Sequence, residues 1–278
     1  MKFSLCNELY KERTIFEVIE SVARLGYDGL EVAPFTLTDD IPAFPLRKQR
    51  EIARCASENG IEVLGLHWLL SYPEGLHVVS RDDKVRRKTR DFFLKFIEIA
   101  VNTGGTLLTL GSPGQRSFGE GDTHGEALKR LADFLSGLLP DLESHRVTIC
   151  LEPLEAELTN LLNRTQEACG VADSLGSSSI GITLDAHFMR WEKEHFGTSE
   201  REAFKIAGPR LRHLHIQDDN SRAPGTGNAD FSEYVQGVRD INWEGFISME
   251  TFASEEGEEG EDIAKAGIAF FKENFFKK

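Results

Sequence analysis

Short β-rich runs with apolar and polar residues in alternation recur along the chain, and amphipathic stretches with helical periodicity lie between them. The β-rich runs fall at 2–6, 28–33, 61–67, 105–111, 147–152, 180–185, 211–216 and 245–251. Helical patterns occupy 14–25, 86–100 and 126–138, with Gly26, Gly60 and Gly104 where helix C-termini need a residue tolerant of a left-handed backbone. Eight strand–helix units of about 35 residues each predict an α/β fold, a (β/α)8 TIM barrel in one domain spanning 1–278. A doubly wound sheet is the rival, but no GxGxxG follows the first strand.

Strand parity then sorts the residues. Side chains alternate between faces, so Ile149/Leu151, Ile182/Leu184, Leu214/Ile216 and Ile247/Met249 belong toward the helices. The opposite face carries Thr148/Cys150/Glu152, Gly181/Thr183/Asp185, His213/His215 and Ser248/Glu250, ending each time in a metal-ligand type. The same rule sends Glu31 and His67 inward. Inward carboxylates this close repel one another unless a cation neutralises them. Three carboxylates and one imidazole suit Mn2+, Mg2+ or Co2+ rather than a thiolate-seeking metal, with Zn2+ also admitted.

Composition narrows the partners. A net charge of −14 and a pI near 5.1 oppose binding to nucleic acid or to an anionic membrane. With 40% hydrophobic residues the chain has enough for one large core. Cys6, Cys55, Cys150 and Cys169 form no CxxC pair and read as free thiols in a reducing compartment. The N-terminus carries charge within eight residues and no signal-like apolar stretch, so a cytoplasmic protein is expected. The acidic run at 255–262 reads as a solvated lead into the last helix, and 270–276 as an apolar helix face covering the barrel or a neighbouring subunit, which leaves a homo-oligomer open.

The remaining polar residues read more plainly. His213 lies one layer below His215 and reads as a hydrogen-bonded barrel filler. Trp68 by parity packs toward the helices unless its strand ends before it. Arg116, in the stretch 112–116, reads as a solvated turn residue, and His77, His124, His145 and His195 as surface residues.

Taken together, GlyTyrAspGlyLeuGlu (26–31), GlyLeuHisTrp (65–68), LeuGluProLeu (151–154), LeuAsp (184–185), HisLeuHisIleGlnAsp (213–218), ProGlyThrGly (224–227) and SerMetGlu (248–250) resemble the xylose isomerase-like barrel proteins, a group of sugar and sugar-phosphate isomerases and epimerases. The resemblance implies that Glu152, Asp185, His215 and Glu250 bind one divalent metal, that Glu152 and Glu250 also exchange protons with the substrate, and that Arg222 holds substrate oxygens. Where the family carries a further glutamate and histidine this chain has Leu158 and Phe188, with Glu155, Glu157 and His187 beside them. Glu157, His187 and His67 are carried as further substrate-side candidates.

The implied substrate is a sugar or sugar phosphate, transformed by proton transfer through an enediolate. Two bases on opposite faces of one carbon give epimerisation, and one base working between neighbouring carbons gives aldose–ketose isomerisation. A metal-dependent dehydratase and a non-catalytic sugar-binding barrel stand as alternatives. The acidic charge and His-poor strand ends count against a three-zinc nuclease on the same scaffold.

Overall fold

The computed structural model describes residues 1–11, 13–252 and 260–275. Its strands are β1 (Lys2–Cys6), β2 (Gly29–Val32), β3 (Glu62–Leu66), β4 (Leu107–Leu110), β5 (Thr148–Leu151), β6 (Ile180–Asp185), β7 (Leu211–Ile216) and β8 (Phe246–Met249). All are parallel, and β1 pairs with both β2 and β8, closing the barrel in chain order. Each expected strand is present, trimmed by at most two residues at an end.

The helices around it are α1 (Ile15–Leu25), α2 (Leu46–Glu58), α3 (Asp83–Thr103), α4 (His124–Ser136), α5 (Leu139–His145), α6 (Thr165–Leu175), α7 (Ala186–Phe196), α8 (Glu200–Ala207), α9 (Ser232–Asp240) and α10 (Gly260–Phe275). Three of them, α1, α4 and α8, start on capping boxes: Thr14 with Glu17, Thr123 with Glu126 and Ser199 with Glu202. Such caps hold otherwise unpaired first-turn amides. Gly26 and Gly104 end α1 and α3 with φ of 91° and 97°, a backbone that costs a side chain strain. Among the described residues no helix is long and apolar enough to cross a membrane.

Parity holds in three dimensions. Phe3 stacks on Phe271 of α10 at 4.3 Å between ring centroids, and Met249 packs so closely against Gly267 of α10 that a methyl there would overlap its sulfur. Ile149, Leu151, Ile182, Leu214, Ile216 and Ile247 are fully buried, each contributing about 1.5–3 kcal/mol of apolar transfer. Inside the barrel several polar residues pair with one another. Ser4 Oγ lies 2.5 Å from Ser248 Oγ, and His213 Nε2 lies 2.5 Å from Glu31 Oε1 and 3.1 Å from Ser248 Oγ. His213 is therefore the filler that parity suggested.

Other expectations meet the structure in part. Cys6, Cys55, Cys150 and Cys169 are free, as expected. His124, His145 and His195 are exposed, but His77 is half-buried, its Nε2 3.0 Å from the Ser117 carbonyl and its Nδ1 accepting from the Val79 amide. The acidic run is described only from Gly260 onward, where Glu261 pairs with Arg13 and Arg24, and residues 255–259 lie outside the described residues. Phe270 and Phe271 face the barrel wall, packing on Phe231 and Phe3, while Phe276 lies outside the described residues.

Glu200, the first residue of α8, is 2% exposed, and burial pushes its carboxyl up to about 7; Arg190 opposes the shift, and Glu233 and Asp230 add to it against Lys193. A carboxyl whose folded pKa exceeds its unfolded one stabilises the fold fully below the unfolded value, and that contribution is lost as pH rises through the folded value. Wild-type stability should therefore fall between pH 5 and 8 by up to about 3 kcal/mol from this group. Thermal melts of Glu200→Gln should be flatter over that range, and parallel wild-type and variant profiles would exclude this origin.

Candidate active site

Four consecutive strand ends converge at the C-terminal mouth. Glu152 follows β5, Asp185 ends β6, His215 is the penultimate residue of β7 and Glu250 follows β8. Each is buried, and one donor atom from each lies within 4.8 Å of the others. His215 is the hub: Nδ1 lies 2.8 Å from Glu250 Oε2 and 3.1 Å from Glu152 Oε1, and Nε2 lies 3.0 Å from Glu31 Oε1. Asp185 also caps α7, its Oδ1 accepting from the His187 amide at 2.6 Å, while Gln217 Nε2 donates to its Oδ2 at 3.3 Å.

The electrostatics follow from burial and charge. Burial pushes Glu152 up to about 7, with repulsion from Glu250 adding to it. Asp185 is raised by the same two causes. Burial would raise Glu250 too, but the His215 and His67 imidazoles outweigh it and hold its carboxyl low. Burial would lower His215, yet the charges of Glu31 and Glu250 raise it well above the usual histidine value. A buried site with three mutually repelling carboxylates and one imidazole fits a hard or borderline divalent cation, which relieves that repulsion.

A cavity of about 370 Å3 opens onto Glu152 and Glu250, a size typical of small-molecule sites. Trp68, Leu154, Leu158, Phe188 and Phe252 form its apolar walls, and Glu155, His187, Gln217 and Ser221 its polar ones. A larger depression of about 740 Å3 lies at the opposite end, between the strand starts around Ile61, Thr106, Arg212 and Phe246. Barrels of this type build their sites at the C-terminal end, and among the described residues the convergent acids gather there.

The remaining candidates fall differently. His187 lines the cavity, its Nε2 3.4 Å from Glu155 Oε2. Glu157, carried as a substrate-side residue, is exposed and outside the cavity wall: it sits in a turn after β5, where period two no longer applies, and Glu155 takes the inward place. His67, carried likewise, is fully buried and does not line the cavity; its Nε2 is 2.9 Å from Glu8 Oε2 and its Nδ1 3.4 Å from Glu250 Oε1. Arg222 is half-buried beside the cavity-lining Ser221, in the loop after β7.

Three residues near the site escaped the sequence. Arg116 is fully buried, not solvated: the loop after β4 folds over the mouth, and Arg116 Nη1 donates to the Leu110 and Glu152 carbonyls at 3.0 and 2.7 Å. Trp68 does not pack toward the helices, because β3 ends at Leu66 and Trp68 adopts φ 50°, so its Nε1 donates to Glu250 Oε1 at 2.9 Å. Glu8 lies in the short turn after β1. No period-two signal reaches it, because β1 ends at Cys6.

A family model described as the xylose isomerase-like TIM barrel matches residues 19–274. The chain is 30% identical over 258 residues to a D-psicose 3-epimerase of Enterocloster bolteae, covering 88% of this chain and 79% of that one. It is 28% identical over 255 residues to a D-psicose 3-epimerase of Agrobacterium fabrum, covering 88% and 82%. A crystal structure of D-psicose 3-epimerase determined in the presence of D-fructose superposes with a TM-score of 0.86 at 21% identity over the full length of both chains. Barrel, convergent acids and matched length agree, and the chain belongs to the xylose isomerase-like TIM barrel family.

Proposed function

We propose that the protein is a divalent-metal-dependent ketose 3-epimerase, with Glu152, Asp185, His215 and Glu250 holding the ion and Glu152 and Glu250 moving the proton. The observation that carries the reading is the set of four buried donors within 4.8 Å, two of which open onto the cavity. Similarity to two 3-epimerases over 88% of the chain supports the same reaction.

A bound Mn2+, Mg2+, Co2+ or Zn2+ ion would supply Lewis-acid polarisation of the substrate carbonyl. The protein's own residues do the rest. One of Glu152 and Glu250 removes the proton α to the carbonyl, and the other returns a proton to the opposite face of that carbon. Trp68 holds one Glu250 oxygen and Arg116 the Glu152 backbone, so both carboxylates are placed before substrate arrives. Leu154, Leu158, Phe188 and Phe252 give the cavity its apolar walls.

The test is a panel of ketohexoses and ketopentoses incubated with Mn2+-loaded protein, with products followed by 13C NMR. Interconversion of C3 epimers is the expected result. Aldose products would make the reaction an isomerisation, and a product short of one water would make it a dehydration.

Gly111 provides a sharp check on the metal role, because a methyl at its Cα would overlap Glu152 Oε2. Gly111→Ala should weaken Mn2+ binding about 10–100-fold, as displacement of a ligand's support does, with little change in melting temperature. An unchanged Kd by calorimetry would mean that ion binding does not depend on the position of Glu152 Oε2.

Arg222 is assigned to substrate oxygens. Its loop is held by Asp218, which accepts from the amides of Asp219, Gly225 and Ala229 at 2.8, 2.7 and 3.1 Å, so truncating the arginine leaves that scaffold intact. Loss of a charge-assisted hydrogen bond predicts a KM raised about 10–100-fold in Arg222→Ala. A large fall in melting temperature with KM unchanged would mark the residue as structural.

A further inference from the structure

The two oxygens of Glu250 face different partners. Oε2 lies 2.8 Å from His215 Nδ1, among the ligand atoms, while Oε1 accepts from Trp68 Nε1 at 2.9 Å and lies 3.4 Å from His67 Nδ1. The other His67 nitrogen is 2.9 Å from Glu8 Oε2. These His67 contacts are ion-pair contacts rather than linear hydrogen bonds. The His67 side chain is 0% exposed and that of Glu8 5%, and neither lines the cavity.

The geometry points to a clamp: Glu8 fixes the His67 ring, and His67 with Trp68 fixes the Glu250 carboxylate, making Glu8 and His67 positioning residues for the epimerisation. This rests on the function proposed above. A glutamate turns freely about its last torsion, and a carboxylate that serves as both ligand and base must keep one orientation within about 10–20°. The Trp68 indole fixes Oε1 from one direction only. A ring held between two carboxylates supplies the second, and burial keeps water from competing for either contact.

Cys6 Sγ joins Glu8 and His67 in a group of donors within 4.8 Å, which raises the rival of a second cation. The clamp is favoured because each imidazole nitrogen already faces a carboxylate.

The experiment compares wild type, Glu8→Gln, His67→Gln and the double variant, all Mn2+-loaded, for kcat, KM, ion stoichiometry and melting temperature, with visible spectra of the Co2+ forms. The clamp predicts kcat lowered about 10–100-fold with KM nearly constant, one ion per chain throughout, and altered Co2+ bands in both single variants. Because Glu8 acts through His67, the double variant should be no slower than His67→Gln alone. A raised KM at constant kcat, additive losses, or two ions in wild type falling to one in the variants would overturn it. Should His67→Gln fail to fold, Glu8→Gln against Glu8→Asp decides alone, with the aspartate expected to restore part of kcat and equal losses counting against the clamp. If wild type shows no epimerase activity, the proposed function fails while the Co2+ spectrum still reads the clamp, and identical bands in wild type and Glu8→Gln would reject it.

Discussion

Glutamine at Glu152 or at Glu250 lowers kcat of the metal-loaded protein by about 10²–10⁴-fold, the range attached to loss of a general acid or base. Both carboxylates are buried at the C-terminal ends of β5 and β8 and open onto the same cavity, so each reaches a substrate carbon there. Glutamine preserves shape and a carbonyl oxygen while removing the ability to take a proton. Part of the loss comes from weaker metal binding, and kcat is therefore measured with ion content determined in each variant. A variant with full metal content and wild-type kcat would end the acid–base role of that residue.

The combination Asp185→Asn with His215→Gln is expected to abolish Mn2+ binding. Asp185 contributes a carboxylate held by Gln217, and His215 is the imidazole on which Glu31, Glu152 and Glu250 converge. Asparagine retains the cap on α7, because its side-chain oxygen still accepts from the His187 amide. In the metal-free protein His215→Gln leaves the buried Glu31, Glu152 and Glu250 carboxylates without their imidazole partner and should cost about 3–5 kcal/mol. Asp185→Asn alone, measured by calorimetry beside a thermal melt, separates lost binding from lost stability. Wild-type affinity in the folded double variant would place the ion elsewhere.

What the sequence made legible depended on local periodicity. Glu152, Asp185, His215 and Glu250 could be found because each closes a strand whose preceding residues alternate, and a period of two fixes the inward face before any tertiary contact is known. His213 was placed by the same rule, and its bonds to Glu31 and Ser248 agree with it. Where the strand stops, parity stops. Trp68 takes a left-handed backbone two residues past β3 and swings from the helix side to Glu250, and Glu157 gives way to Glu155 in the turns after β5. Arg116 reached the barrel mouth through a loop whose path is set by the carbonyls of Leu110 and Glu152, partners 6 and 36 residues away in the chain. Such long-range contacts leave no periodic trace.

If epimerisation proceeds by proton exchange at one substrate carbon, reaction of the Mn2+-loaded protein with D-psicose in D2O places deuterium at C3 of the epimerised ketose, detected by NMR, and none in the Glu152→Gln and Glu250→Gln variants. An epimerised product with only protium at C3 would contradict it.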